Sequence, residues 1–223
     1  MKNLLFLFLA TCFSTICFGQ LEPETSDPAA KAILEKMRTK YEDYTTVAAD
    51  FTLTIEIPEE ETEIQEGSIA QEGDKYRLDL EHQAIYSDGQ SLWLFMKNNN
   101  EVQINDVDDF EEDEEMLSPK DLLRIYEKED FIYQLINEDY ENGVAIQQIE
   151  FKPTDRDSEY SKMRVTIDRK KTQIMRIKAF SKDGSRYTMD VKKFLPNQKY
   201  KASDFVFNPD NHPDIFVEDL RIE

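Results

Sequence analysis

The chain has 223 residues, of which 47 are Asp or Glu and 27 are Lys or Arg, so its formal net charge is −20. A chain this acidic lacks the clustered cations that nucleic-acid binding needs, and its charge also disfavours direct binding to an anionic bilayer. Both cysteines, Cys12 and Cys17, lie among the first 19 residues, so the rest of the chain has no disulfide, thiolate nucleophile or zinc–sulfur site.

The N-terminal residues have the pattern of a secretory signal peptide. Lys2 supplies a positive start, residues 4–16 form a short apolar run, and the small Gly19 precedes a polar stretch. We therefore predict a signal peptide over residues 1–19, cleaved near Gly19, and a single exported, soluble domain over residues 20–223. A buried hydrophobic helix and a lipid-anchored cysteine are the alternatives to this interpretation.

The next segment predicts an amphipathic helix of about four turns. Asp27 is a typical N-cap residue, and Pro28 is a typical first helical residue. The apolar side chains that follow at helical spacing are Ala30, Ile33, Leu34, Met37 and Tyr41.

The apolar period then changes to two, which is typical of half-buried strands. Alternating apolar and polar residues cover residues 51–57, 75–80, 163–168 and 187–192. The turn-forming pairs that separate such runs are Gly73-Asp74, Asp88-Gly89, Asn142-Gly143 and Asp183-Gly184. Because strands do not alternate regularly with helices, we predict a mainly β (α+β) protein, with one open, curled antiparallel sheet of about 10–11 strands.

A second helix is predicted after residue 118. Ser118-Pro119-Lys120-Asp121 resembles a capping box, and apolar residues including Leu122 and Ile125 follow. Just before it, residues 106–116 are rich in carboxylates but lack the glycine and flanking helices of an EF-hand loop, so we predict a solvated loop there. The two helices would cover the concave face of the sheet.

Residues 85–97, I-Y-S-D-G-Q-S-L-W-L-F-M-K, contain a strand that is apolar on both faces. Leu92, Leu94 and Met96 point to one face, whereas Trp93 and Phe95 point to the other. Half-buried strands of antiparallel sheets normally have one polar face. Either both faces pack into a solid core or one face lines a cavity for an apolar ligand, and the pattern alone does not decide which face is turned inward.

Motifs of nucleotide binding and of ester hydrolysis are absent from the sequence. It contains neither G-x-x-x-x-G-K-[ST] nor G-x-S-x-G, and the only histidines, His82 and His212, form no H-E-x-x-H pair. We therefore predict that the protein is not an enzyme and has no cofactor or metal site. An exported hydrolase is an alternative. Its catalytic triad would have to form around His82 from residues distant in the sequence, and no local sequence motif supports it.

Four segments follow one another in a characteristic order after the predicted signal peptide and first helix. V-A-A-D-F-T-L-T-I-E at residues 47–56 comes first, and Gly67-Ser68-Ile69 with Lys75-Tyr76-Arg77 forms the second. The third, S-D-G-x-x-L-W at residues 87–93, is the most specific, and the F-x-F-x-P segment within residues 202–219 is the last. Together they resemble the periplasmic outer-membrane lipoprotein carrier family, the LolA-like proteins.

The resemblance implies a fold and a function. Members of the family form an unclosed β-barrel with helices as a lid, and its concave apolar face holds the acyl chains of a lipoprotein in transit through the periplasm. They receive acylated lipoproteins from an ATP-driven transporter in the inner membrane and deliver them to an acceptor at the outer membrane. We therefore expect a periplasmic, monomeric carrier. A lipid-binding or lipoprotein-sensing module of the same fold, and a structural β-protein with a filled core, remain as alternatives.

The resemblance also implies site residues. It places Tyr76, Leu78 and Ile85 on the cavity wall and Leu122 and Ile125 on the lid. With the apolar residues of the same strands, the predicted lipid cavity comprises Phe51, Leu53, Ile55, Tyr76, Leu78, Leu80, Ile85, Leu92, Leu94 and Met96. The predicted lid residues are Ile33, Met37, Leu122 and Ile125. The chain departs from the family at Glu72-Gly73, where many members have an arginine that ties the sheet to the lid, so the lid is expected to be held differently.

Overall fold

Twelve β-strands, one α-helix and two short 3₁₀ turns make up the described part of the chain. The computed structural model of the protein describes residues 25–107, 127 and 130–221. The strands are β1 (Val47–Glu56), β2 (Glu63–Glu72), β3 (Lys75–Asp79), β4 (Gln83–Ser87), β5 (Ser91–Met96), β6 (Glu101–Asp106), β7 (Phe131–Glu141), β8 (Val144–Pro153), β9 (Tyr160–Asp168), β10 (Gln173–Ser181), β11 (Arg186–Pro196) and β12 (Phe216–Asp219). The helix is α1 (Pro28–Glu42), and the 3₁₀ turns are Ala202–Phe205 and Pro209–Asn211.

All twelve strands belong to one curled sheet that does not close into a barrel. Their order is β12-β6-β5-β4-β3-β2-β1-β11-β10-β9-β8-β7, and the two edge strands, β12 and β7, do not pair with each other. The prediction of an open, mainly β fold is therefore confirmed. The sheet has one or two strands more than predicted, and it is mixed rather than antiparallel, because β12 pairs in parallel with β6. A parallel pair needs a long crossover connection, which the sequence did not reveal.

The predicted number of helices is not matched. The described residues contain one α-helix, α1, whereas two were predicted. The helix predicted from residue 118 onward, with its lid residues Leu122 and Ile125, lies outside the described residues. So do the predicted signal peptide and residues 108–116 of the acidic segment.

Helix α1 covers one face of the sheet over strands β7 to β11. Its buried residues Ala30, Leu34, Met37 and Tyr41 are four of the five that were predicted for its apolar face. They pack against buried sheet residues, namely Tyr133, Ile149, Phe151, Met163, Val165, Ile167 and Ile174. We call the side of the sheet that carries these residues the helix face.

Two contacts fix the ends of α1 on the sheet. At its start, the Asp27 carboxylate accepts hydrogen bonds from the backbone N–H groups of Ala29 (2.8 Å) and Leu135 (3.2 Å), so it caps the helix and binds strand β7. At its end, the Tyr41 hydroxyl accepts a hydrogen bond from the N–H of Ile174 at 3.2 Å. Burial of this hydroxyl raises the pKa of Tyr41 to about 12.

Replacing Asp27 by alanine is expected to lower the free energy of unfolding by about 1–2 kcal/mol, because the helix loses its cap and β7 loses an acceptor at its edge. Urea denaturation monitored by circular dichroism measures the change. Asp43→Ala, just past the other end of α1, is the matched control and should change stability by no more than about 0.5 kcal/mol. Equal effects of the two variants would contradict the dual role of Asp27.

The segment between β11 and β12, residues 197–215, crosses the opposite face of the sheet. We call this segment the crossover and the side that it covers the crossover face. Its Phe207 ring lies 5.0 Å from the ring of Phe95 and 5.7 Å from that of Tyr86, and His212 stacks on Phe207 at 4.9 Å. These contacts cover the Trp93 and Phe95 side of strand β5. One of the two apolar faces of the 85–97 stretch is therefore explained by packing against the crossover.

The two halves of the sheet are thus covered on opposite faces. Under β7 to β11 the helix face is packed, and the crossover face carries ion pairs such as Arg164–Glu150 (2.7 Å) and Arg176–Asp190 (2.6 Å). Over β4 to β6 the crossover face is packed instead. The helix face of β1 to β5 is therefore a candidate surface for a ligand.

Candidate functional site

The ten residues predicted for the lipid cavity all lie on the helix face. Side chains of residues paired across neighbouring strands point to the same side of a sheet. The strand registers pair Ile69 with Leu78, Leu78 with Ile85 and Ile85 with Leu94, which makes one apolar row across β2 to β5. Tyr76, Ser87 and Leu92 form the next row in the same way.

The same registers connect this half of the face to the part beneath α1. Leu53 pairs with Met189, Met189 with Ile177, and Ile177 with the buried Val165. Strand β1 therefore presents Phe51, Leu53 and Ile55 on the side that carries α1. We call the ten predicted residues the apolar surface, since the structure brings them together on one continuous face.

The apolar surface has a buried floor and a partly exposed wall. Phe51, Leu80, Ile85 and Leu92 are buried. The remaining six, which are neither buried nor fully exposed, are Leu53, Ile55, Tyr76, Leu78, Leu94 and Met96. Partly exposed apolar side chains side by side on one face offer contact area to an apolar ligand. Binding of lipid by these ten residues stays a prediction.

The two described lid residues differ in their surroundings. Met37 is only 1% exposed and belongs to the core between α1 and the sheet, so it is a packing residue. Ile33 lines a pocket of about 260 Å³ together with Ala32, Lys36, Gln147, Ile167, Arg169 and Thr172. This pocket is below the usual size of ligand pockets, contains two cationic side chains and includes none of the apolar surface. It is therefore not the predicted lipid cavity.

Polar side chains lie at one end of the apolar surface. Gln65 pairs in register with Leu53 and is only 8% exposed, and its Nε2 donates a hydrogen bond to Oε1 of Glu63 at 2.5 Å. That carboxylate oxygen is 3.8 Å from Nε2 of His82. Gln65 was not among the predicted site residues, because Ile64 is the apolar residue at this point of β2 and would be expected to point inward. Ile64 is in fact 64% exposed.

The histidine geometry in the described residues does not resemble a hydrolytic triad. His82 faces Glu63 and is half exposed, and His212 is stacked on Phe207 with its other neighbour, Phe95, at 4.5 Å. Within residues 25–107 and 130–221, neither histidine is hydrogen-bonded to a serine hydroxyl. Across the same residues no group of three or more potential metal ligands is found.

An ion cluster on the crossover face connects the C-terminal end of β3 with the C-terminal end of β5. Lys97 Nζ lies 2.7 Å from the Asp79 carboxylate and also donates to the Leu80 carbonyl, while Arg77 donates to Asp79 at 2.7 Å. Burial acts to raise the pKa of Asp79, but the hydrogen bonds and charges of Lys97 and Arg77 outweigh it and hold that pKa below its usual value. The cluster thus fixes the position of Leu80 in the floor of the apolar surface.

Because the pKa of Asp79 is lowered by folding, its stabilising contribution is present above the pKa of an unfolded aspartate, about 3.9, and is lost as the pH falls through the folded value. Asp79→Asn is expected to cost about 1 kcal/mol at pH 7 and clearly less at pH 3. Urea denaturation of both proteins at the two pH values measures the difference. A cost that stays the same at both pH values would contradict this assignment.

Comparison with known proteins identifies the family. The family model of the outer membrane lipoprotein carrier protein LolA matches residues 42–208, which includes every residue of the apolar surface. The chain belongs to the LolA family. Among curated proteins, no match to the sequence is found.

Several solved structures align with the chain at low sequence identity. An uncharacterized conserved protein from Thermus thermophilus aligns with a TM-score of 0.57 and 13% identity, over 86% of this chain and 99% of that one. A LolA-superfamily protein from Nitrosomonas europaea (TM-score 0.42, 14% identity) covers 80% of this chain and 97% of its own. The lipoprotein LppX from Mycobacterium tuberculosis (TM-score 0.46, 11% identity) covers 79% and 100%. The Thermus protein is similar to this chain in fold alone.

None of the helical segments in the described part of the chain is both long enough and apolar enough to cross a membrane.

Proposed function

We propose that this LolA-family protein is a periplasmic carrier, which binds the acyl chains of lipoproteins on the apolar surface and moves them from the inner to the outer membrane. In this proposal the protein is exported by its signal peptide, acts as a monomer, receives its cargo from an ATP-driven transporter and passes it to an outer-membrane acceptor. The observation that carries the proposal is the gathering of ten apolar side chains on one face, away from the crossover, in a chain that is otherwise strongly acidic.

The energetics of acyl transfer favour such a surface. Exposing a methylene group to water costs about 0.8 kcal/mol, so one long acyl chain carries on the order of 10 kcal/mol of transfer free energy. A carrier has to offset most of this cost and still release its load. Aliphatic and thioether side chains such as Leu94 and Met96 do so without directional bonds, and methionine adapts to irregular shapes.

Ligand extraction tests the proposal directly. The protein is purified from its periplasm under native conditions without detergent, the bound molecules are extracted and mass spectrometry identifies them. We expect acylated polypeptides, and we expect the purified protein to release a lipoprotein from transporter-containing membranes into the soluble fraction. Recovery of phospholipids alone would favour a lipid-binding module, and recovery of no acylated molecule together with no release would contradict the proposal.

A further inference from the structure

We propose that Gln65 recognises the polar junction of the ligand through its buried side-chain carbonyl, so that the apolar surface selects acyl chains that are joined to a hydrogen-bond donor. The shared chemistry of such ligands is an N–H or O–H group next to the chain, as in an N-acyl amide or a long-chain alcohol. This inference rests on the proposed function, because it names the headgroup chemistry accepted by the same site.

The orientation of the Gln65 amide is fixed by its neighbour. A carboxylate only accepts hydrogen bonds, so the NH₂ group of Gln65 has to face Glu63, and the 2.5 Å distance between Nε2 and Glu63 Oε1 fits this assignment. Oε1 of Gln65 therefore points the other way. It is buried, and none of the described residues donates a hydrogen bond to it.

A buried carbonyl without a donor is unusual in a folded protein and calls for an explanation. Gln65 lies directly beside the apolar surface, in register with Leu53, and the next helix-face residue of β2 is Gly67, which is covered by Phe51 and Leu80. A ligand whose chain lies on these apolar residues would bring its headgroup to Gln65. A donor on that headgroup would then satisfy Oε1.

The chemistry at this end of the surface excludes several common headgroups. An ester linkage, a methyl ether or a tertiary amide offers no donor to Oε1. A phosphate or carboxylate would also be repelled by the negative charge of Glu63, which lies two residues before Gln65 on β2 and pairs with Ile55. A secondary amide or a hydroxyl suits both groups, because it donates a hydrogen bond and carries no charge.

Matched acyl probes test the inference with the purified full chain. One pair is an N-palmitoyl peptide and the same peptide with the palmitoyl group in ester linkage and no N–H at the junction. The other pair is hexadecanol and its methyl ether. We expect the donor-bearing member of each pair to bind about tenfold tighter, as one hydrogen bond to a buried acceptor would give. Competition with a fluorescent fatty-acyl reporter measures all four affinities.

A variant removes the acceptor while keeping the length of the side chain. Gln65→Met is expected to bind both members of each pair equally, with no loss of affinity for the ester and the ether. Gln71→Met is the matched control: it lies on the same strand and face, but its amide donates to the Gly73 carbonyl at 3.1 Å, and it should keep the tenfold preference. Thermal unfolding establishes that both variants are folded.

The outcomes separate the two proposals. Equal binding of donor and non-donor probes by the wild-type protein, a result that needs no variant, overturns the role of Gln65 but leaves acyl binding standing. If a folded Gln65→Met protein keeps the tenfold preference for donor-bearing probes, the role of Gln65 is overturned as well. A preference in the amide pair alone assigns Oε1 to amide-linked chains, and one in the alcohol pair alone assigns it to hydroxyl headgroups. If the wild type binds none of the four probes, the proposed function fails and this inference fails with it.

Discussion

Leu94→Glu is expected to weaken binding of acylated peptides by at least about 100-fold while the protein remains folded. Leu94 is the β5 member of the apolar row, where it pairs with Ile85 on β4 and with Gln103 on β6, and its side chain is partly exposed on the helix face. A carboxylate there would have to be desolvated under an acyl chain, which costs several kcal/mol. Partial exposure keeps the cost to the free protein near 1 kcal/mol.

Titration with a fluorescent acyl peptide measures the affinity, and thermal unfolding reports the fold. Leu78→Glu, one strand away from Ile85 in the same row, should give the same result. The matched control is Ile132→Glu, which puts the same charge at a partly buried position of the crossover face and should leave the affinity within about twofold of the wild type. Folded Leu94→Glu and Leu78→Glu proteins that bind acyl peptide as the wild type does would show that the apolar surface is not the binding site.

The start of the helix and the position of a hairpin turn were predicted correctly from short sequence patterns. Helix α1 begins at Asp27-Pro28 as predicted, because a capping carboxylate and a proline act within one turn. The Asn142-Gly143 hairpin turn has positive φ at both residues, 53° and 80°, a conformation that Asn and Gly adopt more readily than other residue types. Each of these signals depends on only a few neighbouring residues.

The features that the sequence did not reveal depend on contacts between distant segments. The second apolar face of β5 is explained by Phe207, more than 100 residues away in the sequence, and the parallel pairing of β12 follows from the same crossover. Alternation alone does not state which face of a strand a later segment will cover. Alternation could therefore group the apolar residues of each strand on one face, whereas the side of the sheet that this face occupies required the structure.

Strand β2 shows the same limit within the site itself. Its helix-face residues include Gln65 and Gly67, which carry no apolar signal, and its apolar Ile64 points away and is exposed. Gln65 is informative only once its buried, unpaired carbonyl is seen, and Gly67 only once its neighbours are known. Site residues of this kind are defined by the space around them rather than by residue type.

Gly67→Ala is expected to lower the free energy of unfolding by about 1–3 kcal/mol, through overpacking in the floor of the apolar surface. A Cβ atom on Gly67 would lie 2.5 Å from Cζ of Phe51 and 2.8 Å from Cδ2 of Leu80. Both side chains are buried, so neither can move aside into solvent. The displaced Phe51 ring would also disturb the wall above it, and we expect acyl-peptide affinity to fall together with stability.

A double-mutant cycle separates this contact from a general intolerance of β2 to substitution. Phe51→Leu alone should destabilise the protein, because it leaves a cavity beside Gly67. In the Gly67→Ala/Phe51→Leu protein the shorter side chain makes room for the new methyl group, so the combined loss should be smaller than the sum by about 1 kcal/mol or more. Urea denaturation of the four proteins gives the coupling. Strictly additive losses would show that the Phe51 ring does not lie on Gly67, and the floor of the apolar surface would then have to be assigned to other residues.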